Sequence, residues 1–293
     1  MTAELILACH DVVGESPLWV AAEAALYWVD IIGSRIHRLE PASGRHDLWA
    51  TPEYPTSIGL RADGGFIVGL RQRVVLWTPD GPFETLAFPE PNEVGNRLNE
   101  GMVAPDGSFW VGTMAENIGP DGAPQQMAGT TGRLYRIAAD GQVTSLTEDR
   151  FGITNTMIWT DDGHFITADT TRNEFYVYDH STTALTRRRT LRPMIGRGVP
   201  DGSTRDARGV IYNARVGGGA AIARVEEQKV TFLELPCRSP TSCVFGGADL
   251  TTLFITSAMF GMSPEDIGDN PAEGGLLAVS GLSQGVPPNF FKG

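Results

Sequence analysis

One polar position recurs six times along the chain, eight residues before a turn each time, and it limits the fold more than any other feature. It reads Thr56 before Gly64, Asn99 before Gly107, Asn155 before Gly163 and Asp201 before Gly209. Glu15 before Glu23-Ala24 and Thr241 before Gly246-Gly247-Ala248-Asp249 fit the same slot with weaker turn signals. Successive copies lie 41, 43, 56, 46 and 40 residues apart, the period of a four-stranded propeller blade rather than of a helical solenoid. In a propeller, equivalent positions of every blade meet around one axis. The polar slots are therefore expected to converge on one small volume. Core packing does not require this, since strands packed only against one another would carry Val, Ile or Leu there.

Between the slots the chain reads as short strands separated by turns. The first repeat runs through Pro17-Leu18-Trp19, Ala25 to Asp30 and Arg35 to Glu40, the last alternating apolar and polar residues as a half-buried strand does. Comparable runs follow in all five later repeats, among them Gly65 to Leu70, Phe109 to Thr113, His164 to Asp169, Val210 to Ala214 and Thr252 to Thr256. The expected fold is all-β, a six-bladed β-propeller, with residues 1–293 as a single domain. Leu5 to Cys9 is left over; it is expected to complete the last blade and remove an exposed edge. Two insertions, 116–131 in the third repeat and 258–274 in the sixth, cannot extend a blade and are candidate lids or plain surface loops. Most of the six Trp fall in strands, which points to packing between blades rather than ligand stacking.

Charge narrows the partners. A net charge of −12 and a pI near 4.8 argue against nucleic acid, whose binding depends on cationic side chains displacing counterions. No stretch has the length of a membrane span, and the apolar run near the N-terminus lacks the basic flank of a signal peptide. Three cysteines without metal-site spacing suit reduced thiols in a cytoplasmic protein.

The slot residues Glu15, Asn155 and Asp201 all offer oxygen, a set suited to one hard divalent cation that retains several waters. Such an ion polarises a carbonyl and lowers the pKa of bound water. Asp201, in what reads as a rigid Pro200-Asp201-Gly202 corner, is the candidate general base. Arg97 and Asn99 would offer donors and an amide to oxygens of a ligand. None of the five His recurs at the slot, and Gly217-Gly218-Gly219 lacks the following helix that a phosphate loop needs. Arg187-Arg188-Arg189 reads as a solvated strand face.

Several segments resemble, in order along almost the whole chain, the regucalcin and sugar-lactonase family, which includes gluconolactonases and luciferin-regenerating-enzyme-like proteins. They are Gly14 to Trp19, Arg97 to Gly101, Phe109 to Met114, Thr154-Asn155 with Trp159, Ala168 to Thr170, Pro200 to Gly202 and Pro240 to Gly247. The resemblance implies hydrolysis of a sugar-acid lactone, a metal bound by residues matching Glu15, Asn155 and Asp201, substrate contacts from Arg97 and Asn99, and Asp201 as base. It leaves calcium, zinc, manganese, magnesium and iron(II) open as the metal. Three positions depart from the pattern: Glu100 stands where Asp is usual, Val216 replaces a common Trp, and Asn117 stands where some members carry a substrate-contacting carboxylate. Asn117 remains a candidate substrate contact, while the sugar cannot be carried over. The alternatives are a non-catalytic calcium-binding propeller and an ester hydrolase of another specificity.

Overall fold

The computed structural model describes residues 2–191, 194–227 and 229–293. Each repeat folds into one antiparallel sheet, and six sheets form the blades of a β-propeller, five of them four-stranded and one five-stranded. The innermost strands are Gly14–Val20, Ser57–Arg61, Asn96–Val103, Thr154–Trp159, Val199–Arg205 and Pro240–Gly246. Each touches the next and the sixth touches the first, so the ring is closed.

The turn that defines the repeat has a backbone reason. Gly64, Gly107, Gly163 and Gly209 sit in the left-handed region at φ +92°, +84°, +84° and +84°, where a side chain would be strained. In the first blade Ala24 takes this place at φ +47°. That accounts for the weaker sequence signal there.

Glu4–Leu7 pairs antiparallel with Leu276–Ser280 and forms the outer strand of the sixth blade, so the first and last repeats are joined as expected. It is shorter than the apolar run proposed for it. A second tie comes from Phe290–Phe291, which pairs in parallel with Ser57–Arg61 and gives the second blade its fifth strand. Aromatic rings fasten neighbouring blades, as expected of the Trp residues. Trp110 meets Trp159 at 5.2 Å between ring centroids, Trp49 meets Trp77 at 5.5 Å, and Trp19 stacks on Phe254 at 5.7 Å. Contacts of this kind contribute about 0.5–1.5 kcal/mol beyond the area they bury. Among the described residues no helix is long and apolar enough to cross a membrane. All three cysteines are free thiols.

Candidate metal and substrate site in the channel

The polar slot works through a backbone irregularity. In five blades the pairing of the first and second strands slips in register at the slot: between Glu15 and Leu18, Leu98 and Gly101, Asn155 and Met157, Pro200 and Ser203, and Pro240 and Ser242. A bulge of this sort re-aims the side chains beside it. Ser16 and Thr156, at φ +50° and +61°, carry part of the distortion. The slot residues of these five blades, Glu15, Asn99, Asn155, Asp201 and Thr241, line one channel pocket of about 230 Å³. The second blade pairs without a slip, and its slot residue Thr56 hydrogen-bonds to Gly69 outside that pocket. Pro200-Asp201-Gly202 is not a corner but part of the bulged strand Val199–Arg205. Gly202 is needed there because a Cβ would come within 2.1 Å of Ser242 Oγ in the adjacent blade.

A chain of hydrogen bonds fixes which atoms face the channel. Arg97 has only donors, so the Asn99 oxygen turns to its Nη1 at 2.9 Å. The Asn99 amide nitrogen then donates to the Thr154 carbonyl at 2.9 Å and to Asn155 Oδ1 at 3.3 Å. At the other end the Pro200 carbonyl can only accept, so the Thr170 hydroxyl donates to it and receives the Asn155 nitrogen, both at 2.8 Å. Asn155 must therefore present its oxygen. The backbone of Asp201 is held by Thr156 Oγ1 and Asn213 Nδ2, which donate to its carbonyl at 2.6 and 3.0 Å.

Glu15 and Asp201 are each 9 % exposed. Burial raises both carboxyls well above the carboxylate range; Asp201 and Glu100 add repulsion at Glu15, and Glu100 does so at Asp201. The Glu15 side chain accepts from Ser16 N at 2.7 Å. Arg97 favours their ionised forms only as a smaller effect, and burial lowers its own pKa to about 10. Two buried carboxylates and a fixed amide oxygen, short of positive charge, form a donor set that fits a hard divalent cation. Among the described residues no three His, Cys, Asp or Glu side chains cluster as metal ligands; the third donor here is an amide.

The two insertions meet over this pocket. Asn117 begins the first, and its Oδ1 accepts from Arg97 Nη2 at 3.0 Å and Nε at 3.3 Å. Ile118 is buried in the core shared by the first two blades, and Phe260 of the second insertion packs against the same cluster. Both line the pocket. A second, larger cavity of about 470 Å³ with mostly apolar walls is lined by later residues of the same innermost strands, such as Leu18, Met102 and Ile158, and by none of the slot residues. The smaller pocket holds the slot residues of five blades.

Three contributors escape the slot pattern. Glu100, 7 % exposed, follows a slot residue and lines the larger cavity; burial pushes its pKa up to about 7. Asp30 and Asp169 are fully buried and accept from the backbone leading into two slot strands, at Val13 N (3.0 Å) and Gly152 N (2.9 Å) respectively. Ala168-Asp169-Thr170 carried that signal in the sequence; the role in anchoring the strand did not show.

A six-bladed propeller with an oxygen-donor set in its channel, roofed by two insertions, defines the class. The chain belongs to the SMP-30/Gluconolactonase/LRE-like family, whose pattern matches residues 13–259. It is 32% identical over 298 residues to a Pseudomonas putida protein named 6-deoxy-6-sulfogluconolactonase, with 100% of this chain and 99% of that one covered. Regucalcin of Oryctolagus cuniculus is 30% identical over 293 residues, covering 97% and 96%. Among solved structures, a calcium-binding protein, regucalcin, from Agrobacterium tumefaciens superposes with a TM-score of 0.88 at 26% identity, covering 98% of this chain and 96% of that one.

Proposed function

We propose that the protein hydrolyses a sugar-acid lactone to the open-chain acid, using one divalent cation held by Glu15, Asn155 and Asp201. The observation that carries this reading is the pair of buried carboxylates, Glu15 and Asp201, beside an amide oxygen that its neighbours fix toward the channel. Membership of the family and the names of the relatives support the same reaction class.

A cation held by Glu15, Asn155 and Asp201 would supply Lewis acidity toward the ester carbonyl and water. Asp201 takes a proton from the attacking water at a carboxylate oxygen. Water oxygen bonds to the carbonyl carbon, the ring C–O bond breaks, and Asp201 returns the proton to the departing ring oxygen. Arg97, Asn99 and Asn117 act as one rigid group: Arg97 orders both amides, and Asn117 is left with its nitrogen to donate to substrate oxygens. The buried setting strengthens each of these contacts. Calcium, zinc, manganese, magnesium and iron(II) all suit such donors, because oxygen sites rank metals weakly.

A pH-indicator assay on five- and six-membered aldonolactones tests the proposal. Chelated protein is expected to be silent and metal-restored protein active; activity that survives complete chelation contradicts it. A non-catalytic calcium-binding role is favoured by the description of the Agrobacterium neighbour. Calcium binding with no turnover on any lactone would select that role.

A further inference from the structure

The identity of the lactone's far end can be read from the polar groups that the pocket leaves unused. Arg97 has five N–H groups, and four contacts engage them: Asn117 Oδ1 twice, Leu98 O at 2.9 Å and Asn99 Oδ1. Both ends of the Asn99 amide are bonded, as above. The Thr170 hydroxyl is used in both directions, and Thr241 Oγ1 donates to Gly14 O and meets Thr256 Oγ1 at 2.9 Å. With Glu15, Asp201 and Asn155 Oδ1 assigned to the cation, few side-chain groups on the wall remain for substrate. They are the Asn117 nitrogen, the Ser239 hydroxyl, one N–H of Arg97 and the second lone pair of Asn99 Oδ1.

The rest of the wall has no polar side chain; it includes Val13, Ile31, Met114, Ile118, Val216 and Phe260. Arg97 is the cation among the described lining residues, and Glu116 stands 3.5 Å from its Nε. A polyhydroxylated arm laid against this wall would exchange water for few side-chain partners, and an anionic arm would find its cation already engaged.

We infer, resting on the lactonase reading, that the preferred substrate is a lactone whose arm beyond the ring is apolar and uncharged, a deoxy or alkyl-substituted lactone. Asn117 and Ser239 read the one or two hydroxyls nearest the ring. Val216 and the Ile118–Phe260 roof receive the arm.

Matched pairs test this on the metal-loaded protein: galactono- with fucono-lactone, and mannono- with rhamnono-lactone, each pair differing by one terminal hydroxyl. The 6-deoxy member of the accepted pair is expected to have a kcat/KM higher by roughly tenfold, the scale on which a hydrophobic pocket separates such compounds. Phe260→Ser should shrink that ratio. Equal or better turnover of the hydroxylated member, with a ratio that Phe260→Ser does not move, overturns the inference and leaves the lactonase reading intact. If no lactone turns over, calorimetric binding of the same pairs separates the two: tighter binding of the deoxy member retains the pocket assignment without the lactonase, and no binding refutes both.

Discussion

Asn99 touches the candidate metal ligand Asn155 through its amide nitrogen, which donates to Asn155 Oδ1 while Thr170 takes the Asn155 nitrogen, so the two together fix the direction of the Asn155 amide. Partners of this kind typically change metal affinity by 10–100-fold. Asn99→Ala is therefore expected to weaken the calorimetric Kd for the activating metal by at least tenfold, with the far-UV spectrum unchanged; an unaltered Kd would detach Asn99 from the site. Glu100 makes a second prediction, on pH. Burial raises its folded-state pKa from the ordinary 4.5 to about 7, so the folded metal-free protein holds a proton that the unfolded chain has released. Stability then falls as pH rises from about 4.5 through 7, and Glu15 and Asp201 act in the same direction. Melting temperatures of chelated protein should drop across that window, and Glu100→Gln should flatten the drop; a slope unchanged by the substitution would contradict the assignment.

At the scale of the strand, the slot was legible because the left-handed turn eight residues later favours glycine, and glycine is visible in a sequence. The bulges were not legible. A one-residue slip in pairing leaves no mark on composition, yet it decides that Glu15, Asn99, Asn155, Asp201 and Thr241 reach the pocket while Thr56 does not. It also explains why Glu100 was read only as a departure from a pattern, since its direction depends on the slip beside it. The closing strand was legible from its apolar run, whereas Phe290–Phe291 is too short to register. Removing residues 2–8 uncovers the edge of Leu276–Ser280, and an unpaired edge invites association. The truncated protein should melt at a lower temperature and self-associate in light scattering; an unchanged, monodisperse protein would show that the ring does not depend on this closure.

The ring as a whole sets the number of blades, brings the slots together, and lets two insertions from distant repeats share one roof at Ile118 and Phe260. We infer that residues 1–293 unfold as one domain, because each innermost strand packs on the next and the sixth on the first. We propose that this ring serves to hold a cation and a base in the same place. Asp201→Asn tests it most directly, with lactone hydrolysis, bound metal and thermal melting followed on the same samples. The substitution keeps the shape of the side chain and removes its charge. Asp201→Asn is expected to give a cooperative melt close to that of the parent metal-free protein, weakened metal binding, and hydrolysis reduced by at least about 10²-fold even at saturating metal. Parent-like hydrolysis in Asp201→Asn would contradict it.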